Sequence, residues 1–231
     1  MNAIANIFRS SLGKKFVMAL TGMVLFGFVI MHMLGNLQIF LGPEQINAYA
    51  HFLKSTPEIL WPARIGLLVT IVLHIWSAFM VSAENKKARP VGYAGAPAPV
   101  AATFASRTML LSGLIVMAFI VYHLLHFTLQ VRGINLTGLD FRGLLDSKGR
   151  HDVYRMMVIG YSNPWVSAFY VGGLALLCLH LSHGVSAMFQ SLGLKNRSYS
   201  LAVDRIAAVF SWAIFLANAS IPIAVMAGII N

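Results

Sequence analysis

Six histidines lie inside long apolar runs of this sequence: His32, His74, His123, His126, His180 and His183. An imidazole in hydrocarbon is costly and normally faces a protein interior with a partner. A lone histidine there serves most simply as a hydrogen-bonding group between helices. Here four separate runs each contribute at least one, and bundle cores build cofactor sites from side chains on facing helices. The clearest stretch is Leu179–Gly193, where His180 and His183 sit in a run with no Lys, Arg, Asp or Glu from Trp165 to Gln190.

Depth sorts these histidines. His32 lies 17 residues past Lys15, and His123 lies 16 past Arg107. On the two returning runs, His74 is 10 residues before Glu84 and His180 is 10 before Gln190. At about 1.5 Å per helical residue, His32 and His123 share one level, and His74 and His180 share another about 10 Å nearer the cytoplasm. Two such pairs are what two bis-histidine haems require, each iron taking one neutral imidazole nitrogen from either side of the macrocycle. Zinc usually wants four ligands at one point, often with Cys or carboxylate, and neither level offers them. A proton relay would normally recruit intramembrane carboxylates, which the runs lack. His126 and His183 stand three residues from their neighbours, about 60° round the same helix face by α-helical geometry. Spacing alone leaves them open as ligands; depth favours hydrogen bonds to a propionate or to a ligand.

The elements that must carry these residues follow from composition. The chain has 231 residues, 58% hydrophobic and 10% charged, with mean hydropathy +0.75. Soluble domains carry about 25% charged residues, so the expectation is an all-α polytopic membrane protein, a single integral membrane domain over 1–231. Five transmembrane helices are predicted, at about 14–41, 61–83, 108–131, 164–190 and 205–230, four of them forming a haem-binding bundle. The first run far exceeds a signal-peptide core and is expected to remain as a helix. Residues 1–13 read as a short interfacial segment, 45–53 as a short surface helix broken at Thr56-Pro57, and 88–105 as an irregular Pro/Ala/Gly connector. The longest outer loop, 133–163, is expected to include a helical turn at 152–157, and Asn163-Pro164 to open the fourth span. Small residues, among them Gly22, Gly27, Gly66, Ser77, Gly172, Gly173, Gly184 and Ser186, thin the helix surfaces for helix packing or for a flat group between helices. The lone Cys178 excludes an internal disulfide, an iron–sulfur cluster of the chain's own and C-x-x-C-H haem attachment.

The net charge of +10 is read as basic loops that hold topology, with no nucleic-acid partner. Ten cations (Arg9, Lys14, Lys15, Lys86, Lys87, Arg89, Arg107, Lys195, Arg197 and Arg205) fall on one side with Glu84 and Asp204. The other side has seven, with five acids. The positive-inside rule then puts the N-terminus in the cytoplasm and the C-terminus outside.

These residues resemble a family. Ser11-Leu-Gly-Lys-Lys15, Met31-His-Met-Leu-Gly-Asn36, Asn47-Ala-Tyr-Ala-His-Phe-Leu53 and Leu73-His74 carry the resemblance in the first half. Tyr122-His-Leu124, Asp152-Val-Tyr-Arg-Met156, His180-Leu-Ser-His-Gly184 and Phe189-Gln-Ser-Leu-Gly193 carry it in the second. The chain is similar over essentially its whole length to the five-helix dihaem cytochrome b subunit of succinate:quinone oxidoreductases, the succinate dehydrogenase/fumarate reductase group. The resemblance implies two haem b groups, the outer on His32 and His123 and the inner on His74 and His180. It also implies a flavoprotein subunit with FAD and an iron–sulfur subunit on the cytoplasmic face, a membrane quinone as substrate, and a bacterial-type inner membrane. Glu44, Glu58, His51, His151 and Arg155 at the outer rim are candidates for proton transfer at quinone, and Lys14, Lys15, Arg107 and Lys195 for propionate partners. The alternatives are the cytochrome b subunit of a hydrogenase, formate dehydrogenase or nitrate reductase, and a haem-free anchor or transporter whose histidines only pack.

Overall fold

The computed structural model describes residues 8–88 and 104–231. The expected interfacial segment at 1–13 and the connector at 88–105 fall largely outside the described residues. The chain is an all-α polytopic membrane protein: five helices are long and apolar enough to cross a bilayer, and no strand occurs among the described residues. The elements are α1 (Ser11–Asn36, continued by a 3₁₀ turn Leu37–Leu41), α2 (Pro43–Lys54), α3 (Pro57–Lys87), α4 (Met109–His123), α5 (Val153–Ser162), α6 (Pro164–Ser191) and α7 (Ser200–Met226). The spans are α1, α3, α4, α6 and α7.

Several boundaries differ from expectation: the first span begins at Ser11 rather than 14, and the second runs Pro57–Lys87 rather than 61–83, its polar flanks staying helical. The third span ends earlier than 131: α4 passes into a π-helical segment, Leu124–Thr128, in which Leu129 N–H donates to Leu124 O at 2.7 Å, and Gln130 then takes a left-handed φ of 52°. The last span is displaced towards the N-terminus, running Ser200–Met226 rather than 205–230: Ser200-Leu-Ala-Val-Asp204 joins the helix, and the chain leaves it before Gly228, whose φ is 70°. The expected short helix at 45–53 is α2, entered through Pro43 at its first turn and Gly42, whose φ of 96° favours glycine. The expected turn at 152–157 is the whole of α5.

Contacts divide the chain into two compact units. The first comprises Met1–Phe28, Arg64–Ser112 and Leu179–Ser211. Its described part packs Ala19, Val185, Met188 and Ala207 with Phe26, Phe189 and Leu192. Two ion pairs tie its helix ends. Lys14, buried, pairs with Glu84, which also accepts from Ser11. Lys195 Nζ donates to Asp204 at 2.7 Å and to Ser186 Oγ at 2.8 Å, and Ser186 donates to the same carboxylate.

The second unit comprises Val29–Ala63, Gly113–Cys178 and Trp212–Asn231. Its core gathers Ile39, Ile46, Phe119, Phe141, Met156, Met157, Tyr161, Val166 and Tyr170. The long 133–163 segment is built rather than loose. Buried Asn135 holds Leu139 O, Thr137 N–H and the Thr137 hydroxyl; Asp146 accepts from the Lys148 and Arg150 backbone; a 3₁₀ turn seats fully buried Phe141. Asp152 caps α5 by accepting Arg155 N–H at 3.0 Å, and also accepts Asn47 Nδ2 at 3.0 Å. Asn47 Oδ1 in turn accepts Tyr154 N–H at 3.0 Å, so α2 and α5 share one polar link.

Asp152→Ala removes a helix cap and leaves buried Asn47 with an unsatisfied amide. It is expected to cost about 1–3 kcal/mol, read as a lower melting temperature of the detergent-solubilised protein, with Asp152→Asn recovering most of the loss.

Candidate functional site

In the first unit, His74 of α3 and His180 of α6 face each other, their ring centres 6.5 Å apart and their planes 71° apart. In the second, His32 of α1 and His123 of α4 lie 5.6 Å apart at 88°. The pairs inferred from depth are therefore the pairs that meet in space. Metal–imidazole bonds of about 2 Å place two ring centres on one metal about 6 Å apart, and the two measured separations lie on either side of that value.

The neighbours of each ring decide which nitrogen is available. His74 Nδ1 is 3.2 Å from Met18 O and 3.1 Å from Thr21 Oγ1. A carbonyl only accepts, and the Thr21 hydroxyl gives its own hydrogen to Val17 O at 2.7 Å. Both partners thus take a hydrogen from Nδ1, which fixes the tautomer and leaves the Nε2 lone pair. His180 Nδ1 is 3.4 Å from Ser112 Oγ, which also lies 3.1 Å from Met109 O, so the single hydroxyl hydrogen of Ser112 can serve either partner. Metal-bound histidines characteristically donate their other ring N–H to such a partner.

His123 Nδ1 lies 3.4 Å from Tyr170 Oη, and the same hydroxyl is 3.1 Å from His126 Nδ1. Phe119 stacks on His123 at 6.2 Å and 27°. It comes so close to α6 that a Cβ on Gly173 would stand 2.4 Å from the Phe119 ring, so only glycine fits there. Gly22 plays a milder version of this role: a Cβ there would meet His74 Cε1 at 3.3 Å. Gly27, Gly66 and Gly172 have no such neighbour.

His126 is fully buried and stacked on Phe127 at 4.0 Å, and its Nε2 has no hydrogen-bond partner among the described residues. It belongs to the π-helical segment, so the α-helical estimate of about 60° from His123 does not apply to it. Its Nδ1 lies 3.1 Å from the Tyr170 hydroxyl. His183 lies instead within electrostatic range of Lys195 and Asp204. Among the described residues no group of three or more His, Cys, Asp or Glu is placed to hold a metal. Two imidazoles are nevertheless a complete protein ligand set where a porphyrin supplies the other four nitrogens, so the donor chemistry fits haem.

Thr21, Ser112 and Tyr170 were not singled out by sequence. Thr21 and Ser112 carried one weak signal, a hydroxyl in an otherwise apolar run.

At the rim, Glu44 is exposed and clamped. Arg150 Nη2 donates to it at 2.7 Å and Lys148 Nζ at 2.8 Å, while Arg150 also binds Asp146 at 2.7 Å. Glu58 and Arg155 are exposed, Glu58 in the first turn of α3. His151 is half-buried, and Gln130 Nε2 reaches both its Nε2 at 3.0 Å and Met156 Sδ at 3.2 Å. Burial, reinforced by Lys54, holds the His151 imidazole below its ordinary value, so it stays neutral at pH 7. Of the possible propionate partners, Lys14 and Lys195 are already engaged by Glu84 and Asp204.

No protein family, curated protein or solved structure matches the chain.

Hydrogen bonds from Arg150 and Lys148 hold the Glu44 carboxyl down to about 2. A depressed acid contributes stability that is present above its unfolded pKa and is lost as pH falls through the folded value. Glu44→Gln is therefore expected to lower the melting temperature by the same small amount, about 1–3 °C, at pH 8 and pH 5.5. The gap from wild type should close only below about pH 4. Gly173→Ala forces Phe119 off His123 and should lower the melting temperature of the detergent-solubilised protein, while Gly172→Ala, with open space around it, should leave it nearly unchanged.

Proposed function

We propose that this chain is the membrane-anchor cytochrome b subunit of a succinate:quinone oxidoreductase. It would sit in a bacterial-type inner membrane with the N-terminus in the cytoplasm. The observation that carries this reading is the pair of inter-helix histidine couples, with the Nδ1 of His74 committed to the Met18 carbonyl. His32 and His123 would hold one haem b, and His74 and His180 the other. When bound, such a haem supplies reversible one-electron transfer.

The remaining work belongs to this chain's own residues. Met18 O and Thr21 hold the His74 ring with Nε2 unprotonated, Ser112 steadies His180 through its Nδ1, and Tyr170 orients His123. Gly22 and Gly173 let neighbouring groups approach closely enough to fix the rings. The apolar spans keep water away from the couples. Succinate oxidation to fumarate, or the reverse, would take place on a flavoprotein subunit with FAD. An iron–sulfur subunit would dock on the basic cytoplasmic loops, where Lys15 remains exposed. Quinone would exchange two electrons and two protons at the membrane. Glu58, His151 and Arg155 remain rim candidates for the protons, whereas Glu44 is held by its two cations and is better read as a strut.

The purified complex is expected to show a reduced-minus-oxidised b-type spectrum with about two haems per chain. His32→Ala or His123→Ala should lose one haem, and His74→Ala or His180→Ala the other, halving the signal each time. A folded complex without haem sinks the reading in favour of a haem-free anchor. If His126→Ala removes a haem that His123→Ala spares, the ligand assignment is wrong. Co-purification with a flavoprotein and haem reduction by succinate support the succinate-linked complex; reduction by hydrogen or formate instead assigns the chain to the other quinone-linked class.

A further inference from the structure

We propose that Tyr170 is a positioning residue that joins His123 to His126 in a one-way hydrogen-bond chain and thereby sets the electron-donating strength of His123. The inference rests on the reading of His123 as an iron ligand. Tyr170 is buried among Phe119, Phe127 and Tyr161, with ring centres 5.4, 5.7 and 5.0 Å away, so its ring has no room to turn. Its hydroxyl has two imidazole nitrogens in reach, His126 Nδ1 at 3.1 Å and His123 Nδ1 at 3.4 Å, and only one hydrogen to give.

Ligation through Nε2 requires a neutral ring with its hydrogen on Nδ1. His123 Nδ1–H then donates to Tyr170 Oη, and Tyr170 O–H donates to His126 Nδ1, the shorter contact. His126 consequently carries its hydrogen on Nε2, a buried nitrogen with no hydrogen-bond partner among the described residues. The order of donors is thus fixed along the whole chain.

This differs from the other couple. Thr21 passes its hydrogen to a backbone carbonyl of its own helix, and Ser112 has a carbonyl of its own helix in reach as well. Tyr170 passes its hydrogen to a second imidazole, which makes the phenol oxygen a stronger acceptor through hydrogen-bond cooperativity. A stronger acceptor on Nδ1–H makes the ligand more electron-rich and stabilises oxidised iron.

The test is potentiometric titration and low-temperature electron paramagnetic resonance of the intact complex carrying Tyr170→Phe, which keeps the packed ring. One of the two haems should become easier to reduce, its oxidised-to-reduced ratio at fixed potential changing by about threefold or more. The low-spin signal of that haem should also change, while the other haem stays as in wild type. A Tyr170→Phe complex with both potentials and both signals unchanged overturns the inference while leaving the two-haem reading intact; a wild-type complex without haem overturns both. If Tyr170→Phe loses one haem outright, His126→Gln and His126→Leu decide. Gln retains an acceptor for the Tyr170 hydrogen and should match wild type, Leu should shift as described, and equal potentials in the two overturn the inference.

Discussion

A partner for its N–H stabilises an imidazole buried among helices, and that interaction organises the His74–His180 couple. Leaving a buried polar hydrogen unpaired costs about as much as several ordinary hydrogen bonds contribute. In the His74–His180 couple the partner is something a helix provides cheaply. Ser112 has a carbonyl of its own helix in reach, and Thr21 satisfies itself by bonding back to carbonyls in the preceding turn, a habit of hydroxyl residues inside helices. That habit turns a group able to donate or accept into an acceptor only. The tautomer of His74 is therefore set by local backbone geometry, because Met18 O can only accept.

The few charges obey a parallel rule. Glu84, Asp204, Glu44 and Asp146 each have a Lys or Arg within ion-pair distance. Because every such acid consumes a cation, the basic excess of the chain rests on residues outside these pairs, such as Lys15. Pairing also separates roles at the rim. A carboxylate held by two cations is a poor proton carrier near neutral pH, whereas a half-buried neutral histidine beside Gln130 keeps its proton-accepting form.

The spans and the histidine pairing were legible because both depend on one-dimensional quantities. Apolar length fixes where a helix can cross, and rise per residue converts sequence distance into depth, so His32 with His123 and His74 with His180 could be paired without any contact information. What was not legible depends on three-dimensional return of the chain. The 133–163 segment reads as polar loop, yet Asn135, Phe141 and Asp152 bury themselves by contacts with residues whose positions no local pattern reveals. The π-helical segment is invisible for a related reason: nothing in Leu124–Thr128 departs from an ordinary apolar helix, so a reading at α-helical pitch set His126 about 60° from His123. Tyr170 was missed because a tyrosine in a span reads equally well as an interfacial anchor.

The two couples also differ in what braces them, and the difference has a physical consequence. His74 and His180 lean on hydroxyls and a carbonyl, small groups that hold a ring through one nitrogen. His123 is enclosed by Phe119, Phe127 and Tyr170, with Gly173 admitting Phe119 at a distance that no Cβ allows. An aromatic enclosure restrains the plane of the ring as well as its hydrogen, because turning the imidazole would displace several large neighbours at once. Orientation at His74 and His180 is thus a matter of hydrogen bonding, and at His123 a matter of packing with a hydrogen-bond chain threaded through it. Substitutions that spare polar groups but alter volume should therefore register at His123 and pass almost unnoticed at His180.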